Sequence, residues 1–441
     1  MNFKLKNLLF LFAIATISLT LSSCGEDFDC DDREANFGSA CDDGDVLTVG
    51  DVIQPDCTCA GTLPGNIVKL EANITSNMTL TSDKIWILAN RVSVESGATL
   101  TIEPGTVIKG QAGTGVNATA LLIARGAKLM AEGTADAPII FTSIADEITP
   151  EDVVAGNFAS PNLDADINGY WGGLIVLGNA TISASTSPVQ IEGIPTSDTN
   201  GLYGGNSDDD SSGVIRYVSI RHGGSNIGEG NEINGLTLGG VGSETVIENI
   251  EIVGNQDDGI EWFGGTVDVT NAVVWNVGDD AIDTDQGWAG TLDNFVVITP
   301  AGSCFELDGP EGTHFARHTI QNGSVIAVTE KRNTGGNLID VDGNPAEPDP
   351  KATPVDMINV HFVGPLMYED DGESVFLTIT EDEVEVATFD NVTLDVAEAD
   401  LSNHMEQGGA VPMGISAGGT PQADLSGLGW TWAAQAGELD F

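Results

Sequence analysis

Three passages in the middle of the chain repeat one another. Asp257-Asp258-Gly259-Ile260-Glu261-Trp262 returns as Asp279-Asp280-Ala281-Ile282-Asp283-Thr284 and, more loosely, as Ser303-Cys304-Phe305-Glu306-Leu307-Asp308. The step is 22 residues from Ile260 to Ile282 and 23 from Ile282 to Phe305. A second mark, an Asn followed by alternating apolar residues, occurs at Asn249, Asn271 and Asn294 and recurs at Asn322, Asn359 and Asn391. A fixed period in this range defines a repeat architecture. Each repeat holds short runs of β-formers bounded by Gly, Asn and Asp, with no stretch of helical periodicity. A short strand cannot bury its apolar face alone, but stacked on equivalent strands it can. The pattern predicts an all-β chain, a parallel β-helix (solenoid) with coils about 4.8 Å apart. Asn at the same corner of successive coils fits, because each amide can bond the one above and below. The coil marks number about 10–12, a rod of roughly 50–60 Å.

In that register Glu261, Asp283 and Glu306 stand above one another, with Asp285 and Asp308 two residues on. Strand alternation turns Ile260, Ile282 and Phe305 inward and the carboxylates outward. Carboxylates stacked about 5 Å apart repel unless a cation or raised pKa values relieve them. Two chemistries follow. Bound Ca²⁺ would neutralise the column, or a protonated and an ionised carboxyl drawn from Asp280, Asp283, Glu261 and Glu306 would hydrolyse a glycosidic bond. Trp262, Trp275 and Trp288 lie nearby, so Trp262 and Trp288 with Glu261 and Asp283 form a candidate sugar platform. The alternative is that the Trp side chains pack into the coil stack.

Several phrases carry a family resemblance: Gly97-Ala98-Thr99-Leu100-Thr101-Ile102-Glu103-Pro104-Gly105-Thr106, Trp171-Gly172-Gly173-Leu174-Ile175, Glu232-Ile233-Asn234-Gly235-Leu236-Thr237-Leu238, the passage from Asp258-Gly259 to Gly265, and Gly429-Trp430-Thr431-Trp432. Together they span roughly residues 65–441. They resemble the right-handed parallel β-helix lipoproteins of the Bacteroidetes, relatives in fold of pectate lyases and polygalacturonases. The resemblance implies the right-handed sense. Gly278-Asp279-Asp280 is similar to the Gly-Asp-Asp phrase of polygalacturonases, but the accompanying Gly-His-Gly and Arg-x-Lys phrases are absent. Pectate lyases use a basic residue as proton abstractor beside Ca²⁺, and nothing in the sequence places Arg216, Arg221, Arg317 or Lys331 beside the ladder. No phosphate loop, nucleophile elbow or zinc motif occurs.

The N-terminus reads as an address. Lys4 and Lys6 precede an apolar core from Leu8 to Leu21, too short for a membrane span. Residues 1–23 are thus expected to be a signal peptide. Leu21-Ser22-Ser23-Cys24 resembles a lipobox, which makes Cys24 the lipid-bearing residue that holds the chain in the outer membrane. The acidic run after Cys24 resembles a signal for the cell surface. Removing the signal takes the net charge from −52 to −54, a field that repels nucleic acid and attracts divalent cations.

Residues 24–64 form a Cys- and Asp-rich module. Cys30, Cys41, Cys57 and Cys59 predict two disulfides among three possible pairings. Zinc competes, but no second Cys-x-x-Cys and no His is present. Asp42, Asp43 and Asp45, with Asp51, are Ca²⁺ candidates or acidic turn residues. The β-helix is expected over 65–427, with long insertions near 144–169, 185–213 and 333–355. Insertions are where solenoids usually keep function. The second holds Asp208 and Asp210 and the third Asp340 and Asp342, again Ca²⁺ candidates or turn residues. Residues 428–441, with Trp430 and Trp432, read as a cap over the last coil.

Three functions remain open on sequence. The first is a non-catalytic surface module that binds a polysaccharide or a surface protein, helped by Ca²⁺. The second is a polysaccharide lyase or glycoside hydrolase using the acidic ladder. The third is a structural component of an outer-membrane assembly. An Arg within reach of a carboxylate pair would favour the second, a Trp-lined flank the first, and a large exposed apolar patch the third.

Overall fold

The computed structural model describes residues 38–54, 56–225, 233–310, 312–341, 354–380 and 387–441. Cys24, Cys30 and Asp342 lie outside the described residues. The chain divides into two compact units between Pro64 and Gly65.

In the first unit, strands Val49–Ile53 and Cys59–Thr62 pair antiparallel. Cys41 and Cys59 form a disulfide with Cα atoms 6.0 Å apart, and Cys57 is disulfide-bonded as well. Among the unit's described hydrophobic side chains only Ile53 is buried. Cross-links therefore replace a core. Closing a loop of this size stabilises by about 3 kcal/mol.

The second unit is a right-handed parallel β-helix. One sheet runs through twelve strands, from Ile67–Leu70 to Ile415–Ala417. A second runs through eight, from Arg91–Val94 to Asp340–Val341. A third, of Met78–Leu80, Thr99–Ile102 and Lys128–Glu132, merges into the first at Gly213–Arg221. From that coil onward two faces are carried by one long strand that bends in the middle. The bend residue is left-handed in every coil: Tyr217, then Asn249, Asn271, Asn294, Asn322, Asn359 and Asn391, with φ between 51° and 60°. Asn tolerates this conformation better than other residues with a Cβ.

The predicted Asn ladder forms. Asn271 Nδ2 donates to Asn249 Oδ1 at 3.0 Å, Asn294 to Asn271 at 2.7 Å, Asn359 to Asn322 at 3.1 Å and Asn391 to Asn359 at 2.9 Å. It breaks once. Asn322 donates instead to Asp293 Oδ1 at 2.7 Å, because Asn294 is engaged by the backbone of Asp424 on both its amide atoms.

Asp424 belongs to a segment that corrects one expectation. Residues 428–441 do not cover the last coil. The C-terminal segment turns back and runs up the outside of the long sheet. Ser324 Oγ accepts from Gln422 N and Ala423 N. Glu251 Oε1 accepts from Ala433 N, 182 positions away. Leu428 and Trp432 pack on Val253, Val273 and Val296, and Trp430 on Val107, Ile140 and Phe158. The physical reason is visible in Ala272-Val273-Val274-Trp275 and Phe295-Val296-Val297-Ile298. A continuous apolar run marks a strand buried on both faces, so these strands needed a cover outside as well as a core inside. Beneath it lies a buried ion pair, Arg221 with Glu251 at 3.5 Å, and Arg221 sits 5.0 Å from the Trp432 ring.

The ladder generates a prediction. Asn271→Ala loses two amide bonds and places a Cβ in the left-handed region without compensation, an expected cost of roughly 2–4 kcal/mol. Asn271→Gly loses the same bonds but keeps the backbone free, so it is expected to cost clearly less. Urea denaturation of both variants checks the order.

Candidate functional site: an acidic cleft on the second sheet

Coil stacking builds the site. Thr237, Glu261, Asp283, Glu306 and Asp340 are successive register partners. The predicted column of Glu261, Asp283 and Glu306 is therefore present and one residue longer. Ile260, Ile282 and Phe305 are fully buried inside the coil. The turns before these strands stack too. Asp258 Oδ1 accepts from Asp280 N at 2.9 Å, and Asp280 Oδ1 accepts from Ser303 N. Each coil's aspartate thus holds the backbone of the next.

The carboxylates leave the coil outward, but Glu261 and Asp283 do not meet open solvent. Residues from the insertion before Gly213 (Val189, Gln190, Glu192 and Tyr203) roof them, leaving a cleft of ≈ 530 Å³. Glu261 and Asp283 are each only 7 % exposed. Of the fourteen residues lining the cleft nine are Asp or Glu, and none is Lys, Arg or His. Tyr203 and Phe263 supply an aromatic edge, with ring centroids 5.9 Å apart.

Burial and mutual repulsion shape the protonation. Asp258 and Asp283 are held well above the usual carboxylate range, first by desolvation, then Asp258 by the charges of Asp283, Asp257 and Asp280 and Asp283 by those of Glu261 and Glu306. Glu261 is raised by desolvation and by Asp258. Glu306 is pushed up to about 10, first by its hydrogen bond with Asp280 and then by burial. Asn234 Nδ2 donates to Glu261 Oε2. Asp283 Oδ1 has no hydrogen-bond partner among the described residues.

Two oxygen clusters result. Asp258, Glu261 and Asp283 each bring a carboxylate oxygen within 4.8 Å of the others, as do Asp257, Asp258 and Asp279. Asp258 belongs to both. An all-oxygen, anionic donor set suits a hard cation such as Ca²⁺. The unpartnered Asp283 oxygen and the lack of a balancing cationic side chain fit the same ion.

A family model described as a pectate-lyase-like β-helix domain matches residues 72–339. That is more than half of the chain, and the chain belongs to this family. No curated protein matches it.

The other candidates divide. Trp262 and Trp288 are core residues, not a platform. They are almost fully buried and stacked at 4.5 Å, and Trp288 Nε1 donates to Val267 O at 3.0 Å. Trp262 faces inward because it lies two residues after Ile260 on one strand, and alternation returns it to the same side. Asp208 and Asp210 are turn residues. Asp208 Oδ1 accepts from Thr181 N and Asp210 Oδ2 from Asn179 N, so both pin the insertion to the coil. Asp340 joins the foot of the column and accepts from Asn337 Nδ2 at 3.1 Å. In the first unit Asp42, Asp43 and Asp51 bring oxygens together. Asp42, Asp43 and Asp45 also accept backbone N–H groups of their own turn.

Asp257, Asp258 and Asp279 are present in the repeated phrase, but the convergence of Asp258 with Glu261 needs the turn geometry. Asn234 and Glu192 carry no local signal. None of the basic residues considered as a proton abstractor lines the cleft. Arg216 pairs with Glu248 at 3.0 Å, Arg317 with Asp356 at 2.8 Å and Lys331 with Glu438 at 3.8 Å, while Arg221 is buried against Glu251.

Two outcomes follow. Trp262→Ala is expected to cost about 3–5 kcal/mol of stability through the cavity it leaves, with cation binding by any variant that still folds unchanged. Urea denaturation and calcium titration separate the two effects. For pH, groups whose folded pKa is raised above the unfolded value favour the fold while both states hold the proton. They withdraw that support as pH climbs from the ordinary carboxylate range toward the folded value, about 10 for Glu306. In EDTA the melting temperature is therefore expected to fall between pH 5 and pH 8, and saturating Ca²⁺ is expected to flatten the fall. Scanning calorimetry at both pH values, with and without the ion, measures it.

Proposed function

We propose that this protein is a lipid-anchored, cell-surface β-helix. In this reading its acidic cleft holds Ca²⁺ and uses the ion to bind a glycan or a partner at the surface without turning it over. The observation that carries the reading is the cleft itself, with nine carboxyl groups, one of them with an unpartnered buried oxygen, and no cationic side chain. Such a cleft repels an anionic ligand until cations enter it, and then offers them for coordination by sugar hydroxyls or carboxylates. Anchoring through Cys24 in the outer membrane is the part of the proposal that rests on sequence alone. An assembly role finds less support. The described large apolar side chains that are exposed are few, Val154, Phe315 and Met413 among them.

One observation keeps a glycoside hydrolase as the second reading. Glu306 is held protonated beside Asp280 at neutral pH, the acid half of the carboxyl pair that such chemistry needs. Pectate-lyase-type elimination lacks its base among the described lining residues.

The test is a thermal melt of the protein with EGTA and with millimolar Ca²⁺, run on the native chain and on Asp283→Asn. A ligand bound only by the folded state at about 100 times its Kd adds about 2.7 kcal/mol, so a rise of a few degrees is expected for the native chain and a much smaller one for the variant. Equal melting curves with and without Ca²⁺ would remove the proposal. Release of reducing ends from polygalacturonate or neutral glycans, lost in Glu306→Gln, would instead establish the hydrolase.

A further inference from the structure

One turn residue beside the acidic cleft breaks the pattern of its column. Leu236 and Ile260 are register partners, as are Ile260 and Ile282. Two residues earlier in each coil, Asn234, Asp258 and Asp280 therefore stack. The backbone agrees: Gly235 N donates to Asp258 O, Gly259 N to Asp280 O and Ala281 N to Ser303 O. In the later coils the side chain at this position accepts from the backbone of the next coil, Asp258 Oδ1 from Asp280 N and Asp280 Oδ1 from Ser303 N. Asn234 departs from this. Its Nδ2 donates to Glu261 Oε2 and lies 3.4 Å from Thr237 Oγ1, and its Oδ1 takes no backbone N–H.

Two orphaned oxygens flank Glu261. Asn234 is only 3 % exposed, yet its Oδ1 has no hydrogen-bond partner among the described residues. Asp283 Oδ1, one coil further on, has none either. A buried acceptor left unpaired is costly, and a cation against it removes the cost. No Lys, Arg or His lines the cleft to serve instead. Asp258, Glu261 and Asp283 each bring an oxygen within 4.8 Å of the others. Ca²⁺ holds oxygens at roughly 2.3–2.6 Å, so ligands on opposite sides of it stand about 4.6–5.2 Å apart. The cluster has a compatible span. Three carboxylates do not fill a shell of about six to eight oxygens, and the burial of all three restricts what water can add.

We propose that Asn234 is the neutral ligand of a Ca²⁺ ion held by Asp258, Glu261 and Asp283, with its amide carbonyl on the ion. The inference rests on the reading of the cleft as a Ca²⁺ site and adds the residue that sets the ion's charge balance and hydration. A half-turn about the last side-chain torsion exchanges Nδ2 and Oδ1. The N–H that bonds Glu261 in the ion-free cleft then gives way to the carbonyl oxygen, and the Thr237 hydroxyl is placed to donate to it. An amide serves both states. A fourth carboxylate would add to the repulsion of the ion-free cleft. The amide oxygen also takes the place of a water, which favours Ca²⁺ over Mg²⁺, an ion that keeps several of its waters.

The test is calorimetric Ca²⁺ titration of the full chain, paired with the luminescence lifetime of bound Tb³⁺ in H₂O and D₂O, which counts the waters left on the ion. The signal of this site is the part that Asp283→Asn loses. Two variants separate a ligand from a hydrogen-bond donor. Asn234→Leu has neither the oxygen nor the N–H, whereas Asn234→Asp keeps an oxygen and loses the N–H. Asn234→Leu is expected to weaken Ca²⁺ binding by about tenfold or more and to leave about one more water on Tb³⁺. Asn234→Asp is expected to bind Ca²⁺ at least as tightly as the native chain, with no added water. Native affinity in Asn234→Leu would overturn the proposal. So would equal weakening in both variants, the signature of a donor to Glu261 alone. If Asn234→Leu does not fold, weakened binding by Asn234→Asp is enough to overturn it. Absence of any Ca²⁺ signal that Asp283→Asn loses would instead remove the reading of the cleft on which the proposal stands.

Discussion

Coil-to-coil backbone pairing is the constraint on which everything else in the β-helix depends. Each strand hydrogen-bonds to its equivalent one coil away, so a residue type repeated at one period is copied into a column. The consequences differ with the side chain. An Asn column lowers its own energy, since an amide can be both donor and acceptor, as Asn271 is between Asn249 and Asn294. A carboxylate column raises its energy, and burial makes the repulsion worse. The same repeat rule that stabilises one edge of the coil therefore loads another with a charge problem that only protons or cations relieve. The candidate site is the place where that problem is greatest.

Stacking alone would leave both sheets facing water. Two additions to the repeat decide otherwise. The insertion pinned by Asp208 and Asp210 closes over the acidic column and turns a flank into a cleft. The C-terminal segment closes over Val253, Val273 and Val296 on the long sheet. It also encloses the Arg221–Glu251 pair, which would otherwise stand on an exposed strand surface. Both covers are held by backbone donors to side-chain acceptors far away in sequence, as with Ala433 and Glu251. They leave a cleft lined mostly by acids under the first cover and an apolar packing layer under the second.

The repeat period made the fold legible. The Asn marks, the 22- and 23-residue steps and the apolar partners Ile260, Ile282 and Phe305 were enough to set the coil register, because side-chain alternation and strand spacing leave little freedom once a period is known. The column of Glu261, Asp283 and Glu306 followed from the same arithmetic. The sequence leaves Trp262 and Trp288 open between a sugar platform and the coil stack, and the structure takes the second, because Trp262 points inward from the strand that turns Glu261 outward. The C-terminal segment is not the cap that its sequence suggests, because the unbroken apolar runs at residues 272–275 and 295–298 mark strands buried on both faces, which this segment covers.

The amino-acid sequence by itself determined the periodic part of this protein: the β-helix, its register, its Asn column and the stacking of its acids. These depend on interactions between neighbouring coils, which a period of about 22 residues encodes directly. Only the tertiary structure decided that the insertion roofs the acids and that the C-terminal segment returns so that Trp430 meets Tyr217. Those arrangements depend on where non-repeating segments fold back, and contacts between segments far apart in sequence, 182 positions for Ala433 and Glu251, leave no period to read.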